Sequence, residues 1–261
     1  MAEHRKVLYK TQDGVTRVTL NRPDKRNALD AELVHGLKEV MAASAVHAKC
    51  RVVLLTGAGK DFCAGADLAA LEKTAAGSVL ENMDDARNMA ELFLMMRNHP
   101  RPIIAAVQGR AFAGGCGLAT ACDIVLASES AQFAYPEVNI GFVPAMVMAI
   151  LRRAVSEKAA FELVASGDVV AAARARELGF VHHVYSDTTF DAEVEAYVSR
   201  IASKSSSALM LTKRLLYQTD SMSFEAALEA GVQTNAIART TEDCRHGVER
   251  FLSARSGTSR K

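Results

Sequence analysis

The stretch GRAFAGGCGLATACDIVLA, residues 109–127, places Gly114, Gly115 and Gly117 at the start of an apolar run. It follows RPIIAAVQG (101–109), an apolar segment of the length expected for a strand buried on both faces. Glycines after a buried strand let the main chain approach a ligand, because no side chain stands between them. N–H groups in the first turn of a following helix have no partner within that helix. The stretch therefore predicts a strand, a backbone-lined loop and a helix.

A similar junction occurs earlier in the chain. RVVLLTG (51–57) reads as a second buried strand, and it leads into the small residues of GAGKDFCAGADL (57–68). If the two strands are parallel neighbours, both loops lie at the same edge of the sheet. The N–H groups of Ala66 and Gly114 then become candidates to hold one carbonyl oxygen as it gains negative charge. Backbone donors of this kind are typical of catalysis through an oxyanion.

The rest of the chain predicts an α/β protein. KVLYKTQDGVTRVTLN (6–21) alternates around Asp13-Gly14, as a hairpin does, and a helix is expected from Asp30. Strands are expected near 124–127, 132–135 and 180–185, and helices dominate beyond Pro144. Three amphipathic helices are expected from about residue 187. Residues 1–190 are therefore interpreted as the core with the binding site, and residues 191–261 as a helical region for oligomerisation.

Composition excludes several classes of protein. The 261 residues include 31 Lys plus Arg against 30 Asp plus Glu, so no strong field favours nucleic acid or an anionic membrane as partner. No run approaches the roughly 18 apolar residues of a membrane span, and MAEHRK lacks the apolar core of a secretory signal. A cytoplasmic protein is expected. The five cysteines are scattered and predict reduced thiols, with neither disulfides nor a metal site.

Most nucleotide and hydrolase motifs do not occur in the sequence. There is no GxxxxGK followed by Ser or Thr, no GxGxxG, no HExxH and no GxSxG. Cys116 is one candidate nucleophile, since it follows two glycines at an expected helix start, where the helix dipole lowers a thiol pKa. A small buried thiol that packs beneath the glycines is the alternative, and it is the one we favour.

Four motifs together resemble the enoyl-CoA hydratase/isomerase, or crotonase, superfamily. They are DFCAGADL, VQGRAFAGGCGLATACDIVLA, AQFAYPE and TTEDCRHGVERFL, and the resemblance runs from NRPDKRNAL to the last helix. It implies a spiral of repeated strand-strand-helix units and C-terminal helices that build a homotrimer, often paired into a hexamer. It also implies an enzyme whose substrate is an acyl-CoA thioester, while the balanced charge gives no reason to expect a nucleic acid or a membrane as partner.

The resemblance assigns roles to particular residues. The thioester carbonyl would lie between the N–H groups of Ala66 and Gly114, and the backbone around Ala64 and Ala66 would hold the adenine and pantetheine. Coenzyme A arrives as part of the substrate, so no separate cofactor is expected. Residues 71–97 are expected to line the acyl tunnel. Three basic residues are candidates to meet the phosphates: Lys25, Arg26 and Lys60.

Gly117 is the informative departure from the family's hydratases, which resemble this chain but carry two glutamates around one water. This chain keeps the second, Glu137 in YPEVNIG (135–141), and has Gly117 at the position of the first. Addition of water needs a base and an acid, whereas one carboxylate can move a proton between two carbons of an enolate. We therefore expect Glu137 to be the sole acid/base, with double-bond isomerisation at least as favoured as hydration.

Other readings of the site stay open. The chain is alternatively a genuine hydratase, a thioester hydrolase that uses Cys116 or a Glu137-activated water, or a non-catalytic acyl-CoA binder. IGFVPAMVMAIL (140–151) replaces the glycine-rich turn usual in the family's hydratases, so Phe142, Met146 and Met148 are expected to reshape the substrate-binding wall. We interpret Asp67 as a helix N-cap and Tyr135 as a core aromatic residue.

Overall fold

The computed structural model describes residues 6–67, 72 and 76–258. Its main sheet has six strands in the order β1-β2-β3-β4-β6-β9. The first two form the predicted hairpin, which turns at Asp13 and Gly14 with positive φ, and every later pair in this sheet is parallel. The strands of this sheet are β1 (Val7–Gln12), β2 (Val15–Leu20), β3 (Val52–Gly57), β4 (Ile103–Val107), β6 (Ile124–Ser128) and β9 (His183–Tyr185).

A second, three-stranded sheet contains β5 (Arg110–Phe112), β7 (Gln132–Ala134) and β8 (Val170–Ala171). Strand β5 follows β4 directly, and β7 follows β6 in the same way, so the chain passes twice from the main sheet into the second one. A helix, or a 3-10 helix, then begins at the end of each pair. The strand-strand-helix repeat is therefore confirmed, and β5 pairs in parallel with β7.

Helices surround the two sheets. They are α1 (Ala31–Val46), α2 (Val79–Asn98), α3 (Gly114–Thr120), α4 (Ala145–Ala154), α5 (Glu157–Ser166), α6 (Ala172–Leu178), α7 (Phe190–Ala202), α8 (Ser206–Gln218), α9 (Phe224–Thr240) and α10 (Glu242–Thr258). Short 3-10 helices cover Pro23–Lys25, Pro136–Ile140 and Thr219–Ser221. The Asp30 side chain caps α1 by accepting from the Leu33 N–H, and Gly167 and Gly179 end α5 and α6 in left-handed conformations, as predicted.

The expectation of three helices beyond residue 187 is wrong. The described part of the chain has four there, because Thr241 adopts an extended conformation between α9 and α10. Its hydroxyl donates to the Ala238 carbonyl and accepts from the Cys244 N–H, so it ends one helix and caps the next. Neither glycine nor proline marks this break, which is why the sequence pattern did not reveal it.

The core lies on both faces of the main sheet. Along β3, Val53 and Leu55 face the larger cluster, which includes α1 and α2, whereas Val52 and Leu54 face the other side. That second side is covered by α7, whose buried residues include Phe190. The first helix beyond residue 190 therefore packs as part of the core.

Helices α9 and α10 leave an apolar stripe exposed in the single chain. Phe224, the first residue of α9, is 74% exposed. The other large apolar residues of the stripe, all more than half exposed, are Leu228, Val232, Ile237, Val248, Phe251 and Leu252. Within the described residues, no helix combines the length and the apolar character needed to cross a membrane.

Candidate active site

The loop after β3 runs beside β5 and the start of α3. The Cys63 N–H donates to the Arg110 carbonyl at 3.0 Å, and the Phe112 N–H donates to the Cys63 carbonyl at 3.0 Å. Two residues later, a β carbon on Gly65 would lie 2.9 Å from both the Ala113 β carbon and the Phe112 carbonyl oxygen. Glycine is required here for this close approach and for its φ of +96°. Ala66 and Gly114 each follow this contact, so the structure brings the two segments together.

The N–H of Ala66 points away from the Leu29 segment that lies beside it. The Leu29 N–H donates to the Gly65 carbonyl at 2.7 Å, and the Asp67 N–H donates to the Leu29 carbonyl at 2.9 Å. Because Gly65 and Asp67 make the hydrogen bonds of this parallel bridge, the intervening Ala66 N–H points away from Leu29. Among the described residues, this N–H donates no hydrogen bond, and Ala66 is exposed.

Gly114 is the first residue of α3, and its N–H also has no acceptor in the described part of the chain. The preceding Ala113 adopts φ 49° and ψ −125°, a conformation that costs a non-glycine residue about 1–3 kcal/mol. The Ala113 N–H donates to the Ala134 carbonyl at 2.8 Å, which holds this turn against β7. Strain of this kind clusters at functional sites, where it fixes the direction of backbone groups.

Glu137 follows the neighbouring strand at the same edge of the second sheet. Phe112 of β5 pairs with Ala134 of β7, so Gly114 and Glu137 lie just beyond paired positions. The glutamate is only 8% exposed, and its Oε2 has no hydrogen-bond partner among the described residues. Burial raises the pKa of this carboxyl above its usual value. A buried carboxylate with a free oxygen and a raised pKa is suited to exchange a proton with a substrate.

Gly117 has no room for a side chain. A β carbon there would lie 2.5 Å from Cγ2 of Val147 and 3.3 Å from its Cγ1. Val147 is 5% exposed and belongs to α4, so its position is fixed by packing. The space that a carboxylate at position 117 would enter is therefore filled by a valine. Sequence reasoning missed Val147, although it named Met146 and Met148 on either side of it.

The wall residues named from the sequence lie in different environments. Phe142 is 47% exposed, and its N–H donates to the Glu137 carbonyl at 3.0 Å, which places it next to the glutamate. Met146 and Met148 are half-buried against the core. Residues 71 and 73–75, part of the expected tunnel, lie outside the described residues.

Cys116 and Tyr135 are packing residues in this site. Cys116 is fully buried, and burial raises the pKa of its thiol to about 12, so it is protonated at neutral pH. The Tyr135 hydroxyl lies 2.9 Å from Oγ1 of Thr120, and the Tyr135 ring is buried, as expected for a core aromatic residue. Burial outweighs the effect of the helix start on the cysteine, so a Cys116 nucleophile does not fit the site.

Three basic residues lie on adjacent surface turns. Lys25, Arg26 and Lys60 are all exposed. Their turns touch, because a β carbon on Gly59 would lie 2.9 Å from the Pro23 β carbon. The N–H of Ala64 donates to the Arg26 carbonyl at 2.9 Å, so this predicted binding residue has only its carbonyl left to offer.

Asn27 holds these turns together, a role that was not predicted from the sequence. It is fully buried, and its side chain donates to the carbonyls of Ala58 at 2.9 Å and Asp61 at 2.8 Å. Its position within the polar run NRPDKRN was the available indication. Asp67 accepts from Arg22 at 2.8 Å, and the helix that it was expected to cap falls on residues 68–71, outside the described residues.

A cavity of about 650 Å³ opens between α2 and α4. Its wall includes Thr120, one helical turn beyond Gly117, and four residues from the 71–97 segment that was expected to line the tunnel: Ala90, Phe93, Leu94 and Arg97. Among the described residues, no group of three or more His, Cys, Asp or Glu side chains is placed to hold a metal ion.

Comparison with known proteins gives consistent matches. The family model for enoyl-CoA hydratase/isomerase matches residues 10–258. A protein of Thermus thermophilus named putative enoyl-CoA hydratase is 39% identical, over 92% of this chain and 95% of that protein. The 2,3-dehydroadipyl-CoA hydratase of Escherichia coli is 33% identical, over 96% of each. The crystal structure of an enoyl-CoA hydratase from Mycobacterium smegmatis superposes with a TM-score of 0.91 at 34% identity, covering 95% of this chain and 96% of that one.

Proposed function

The chain belongs to the enoyl-CoA hydratase/isomerase family, and from that premise we propose that it moves a carbon–carbon double bond along the acyl chain of a CoA thioester. The observation that carries this proposal is the single buried carboxylate. Glu137 has a free oxygen at the same sheet edge as the Ala66 and Gly114 amides, while Val147 fills the place of a second acid. One acid/base group suffices for isomerisation but leaves hydration one group short.

In the proposed reaction, the thioester oxygen accepts hydrogen bonds from the N–H groups of Ala66 and Gly114. Glu137 removes a proton from the α carbon, and the electron pair moves onto the carbonyl oxygen and the adjoining double bond. The protonated Glu137 then returns the proton to the γ carbon, so the double bond shifts without gain or loss of atoms. Each preorganised donor is worth about 2.7–4 kcal/mol of transition-state stabilisation. The raised pKa makes Glu137 a stronger base than an ordinary carboxylate.

Hydration of a 2-enoyl-CoA is the second candidate, and the names of the relatives favour it. The Escherichia coli relative is a hydratase of 2,3-dehydroadipyl-CoA, and other similar proteins carry hydratase names. In this chain, Glu137 alone would have to activate the water and supply the proton to the α carbon. Loss of one positioned acid/base typically costs about a hundred- to ten-thousand-fold in rate.

The test is a direct comparison of both reactions on 3-enoyl-CoA and 2-enoyl-CoA of equal chain length. We expect isomerisation to exceed hydration, and Glu137→Gln to reduce isomerisation about a hundred- to ten-thousand-fold. Glu162→Gln, an exposed carboxylate on α5, is the matched control and should keep full activity. Faster hydration that disappears in Glu137→Gln would overturn the isomerase proposal in favour of the hydratase. Release of free CoA would instead indicate hydrolysis, and saturable binding without turnover a non-catalytic binder.

The CoA end and the assembly complete the proposal. The exposed Lys25, Arg26 and Lys60 turns offer positive charge to the phosphates of CoA, and the Ala64 carbonyl remains available as an acceptor for the adenine amino group.

The exposed apolar stripe on α9 and α10 is suited to bury against other copies of the chain in a homotrimer or hexamer. Sedimentation equilibrium tests this assembly, and a monomer at micromolar concentration would contradict it.

A further inference from the structure

The cavity between α2 and α4 is built from two matching helical stripes. On each helix, three lining residues recur at spacings of four and then three, so they share one face. Each stripe begins with an apolar residue and ends with an arginine: Ala90, Leu94 and Arg97 on α2, and Met146, Ile150 and Arg153 on α4. The two stripes are therefore apolar along most of the cavity and carry the arginines at one end, where Asp123 and Asp220 also line the wall.

The apolar end is the one closest to the proposed reaction centre. Val147 contacts the Gly117 position, and its neighbour Met146 lines the cavity. Thr120, three residues beyond Gly117 on α3, lines it as well. From Met146 to Arg153 the helix rises about 10 Å, so the arginines lie about that much farther from the reacting carbons. An acyl chain that runs along α4 from the contact between Gly117 and Val147 would reach the arginines with its far end.

Positive charge exceeds negative charge at this far end. Arg97 donates to Asp220 at 2.8 Å, and Arg153 donates to the same carboxylate, so two guanidinium groups share one acid. The Arg97 guanidinium also lies 4.2 Å from the centre of the Tyr217 ring, which fixes its plane. The other acid nearby, Asp123, is already paired with Lys213 at 2.7 Å.

We propose that this cavity takes an acyl chain that ends in a carboxylate, and that Arg97 and Arg153 bind the terminal carboxylate. The inference rests on the proposed function for the thioester end, and it adds the substrate class. Guanidinium groups bind carboxylates in planar pairs with charge-assisted hydrogen bonds. A terminal methyl group makes no such hydrogen bond, so its binding does not depend on the two arginines.

The test measures binding of a length-matched pair of saturated acyl-CoA molecules, one ending in a carboxylate and one in a methyl group. Calorimetry on the wild type should show about ten- to hundred-fold tighter binding of the carboxylate form, the value of one charged hydrogen-bonding contact. Arg97→Gln with Arg153→Gln should remove this preference and leave the affinity for the methyl form unchanged. Arg152→Gln removes the same charge from the neighbouring exposed position on α4 and should keep the preference.

Asp220→Asn supplies an independent check. It removes the carboxylate that competes for the two arginines, so the preference for the terminal carboxylate should increase. If the double arginine variant binds neither ligand, the single variants decide, since each must lower the preference. Equal affinity of the wild type for the two ligands, or a preference that survives the loss of both arginines, overturns the inference.

The two proposals fail separately. The saturated ligands cannot isomerise, so a wild type that prefers the carboxylate form but turns over no enoyl-CoA overturns only the proposed reaction. A wild type that isomerises methyl-terminated substrates without any carboxylate preference overturns only the substrate class.

Discussion

The two ends of helix α3 differ in how their polar groups are satisfied. At the N-terminal end, the N–H groups of Gly114 and the adjacent Ala66 have no acceptor among the described residues, and Ala113 is strained. Just beyond the C-terminal end, Asp123 accepts from the Ile103 N–H at 2.7 Å, from Lys213 at 2.7 Å and from the Tyr217 hydroxyl at 2.6 Å. One end offers donors to a substrate, whereas the other is fully occupied in joining elements of the fold.

This difference separates the polar groups proposed for catalysis from structural ones over about 10 Å of helix. Lys213 also donates to the carbonyls of Met96 and Arg101, so its three protons all have acceptors. Such a saturated network contributes to stability but has nothing left to offer a ligand. Changes near the N-terminal end of α3 should therefore lower kcat, and changes just beyond its C-terminal end should lower the free energy of unfolding. Four predictions test this contrast.

The largest effect is expected from Gly65→Ala. Its β carbon would lie 2.9 Å from Ala113 and from the Phe112 carbonyl, so the two amide-bearing loops would move apart. We expect kcat to fall about a hundred- to a thousand-fold, the cost of misplacing one oxyanion donor. Gly14→Ala is the control, since its φ is +80° but its new β carbon meets only the flexible Arg51 side chain, at 3.1 Å. Equal loss of rate in both variants would mean that backbone strain, not the donor pair, is responsible.

Lys213→Met tests the Asp123 network just beyond the C-terminal end of α3. It leaves the Asp123 carboxylate buried without its cation, so we expect the free energy of unfolding to fall by about 3–5 kcal/mol. In urea titrations, Lys204→Met, which removes an exposed lysine two residues before α8, should leave stability unchanged. The kcat of the folded Lys213 variant should equal that of the wild type below its melting transition. A large loss of kcat with unchanged stability would reverse the assignment of the two ends.

Gly117→Glu tests the filled space in the middle of α3. The new side chain overlaps Val147, so we expect a loss of about 1–3 kcal/mol in the free energy of unfolding. Adding Val147→Gly removes the overlap, so the loss in the double variant should be smaller than the sum of the two single losses. The ratio of hydration to isomerisation should rise in the double variant, because two carboxylates then face the substrate. Strict additivity would show that Val147 does not control this space.

The smallest effect concerns the pH dependence of stability at Glu137. Its folded-state pKa is raised above the ordinary 4.5, so the folded protein binds this proton more tightly than the unfolded chain does. The resulting stabilisation is present at pH values below the ordinary pKa and is lost as the pH rises through the raised folded-state pKa. Glu137→Gln should therefore raise Tm by a few degrees at neutral pH and leave it unchanged at about pH 4. A lower Tm for the variant at neutral pH would show that the carboxylate is stabilised by partners.

Local patterns predicted much of this fold. The buried strands β3 and β4, the hairpin and the glycine ends of α5 and α6 depend on residues close together in sequence, so runs and spacings reveal them. The close approach of the two loops was also predictable, because small residues after two neighbouring parallel strands let the backbones meet at one edge of the sheet. The structure places Ala66 and Gly114 on adjoining segments, as that expectation requires.

Long-range contacts were not predictable in the same way. Val147 meets Gly117 only because α3 and α4 pack with those faces together, and the sequence does not specify that crossing. Asp123 and Lys213 are 90 positions apart, and nothing in their local sequence indicates a buried pair. The shared use of Asp220 by Arg97 and Arg153 was hidden for the same reason.

The donor pair at Ala66 and Gly114 has a consequence for how such a protein changes over generations. Every residue type except proline carries a main-chain N–H, so almost no single codon change at either position deletes a donor. Glu137, by contrast, is lost through any replacement. Under the proposed function, a lineage with this scaffold keeps its donors for an enolate oxygen while its side chains change, and new reactions arise through the loss and gain of carboxylates around a constant pair of main-chain donors.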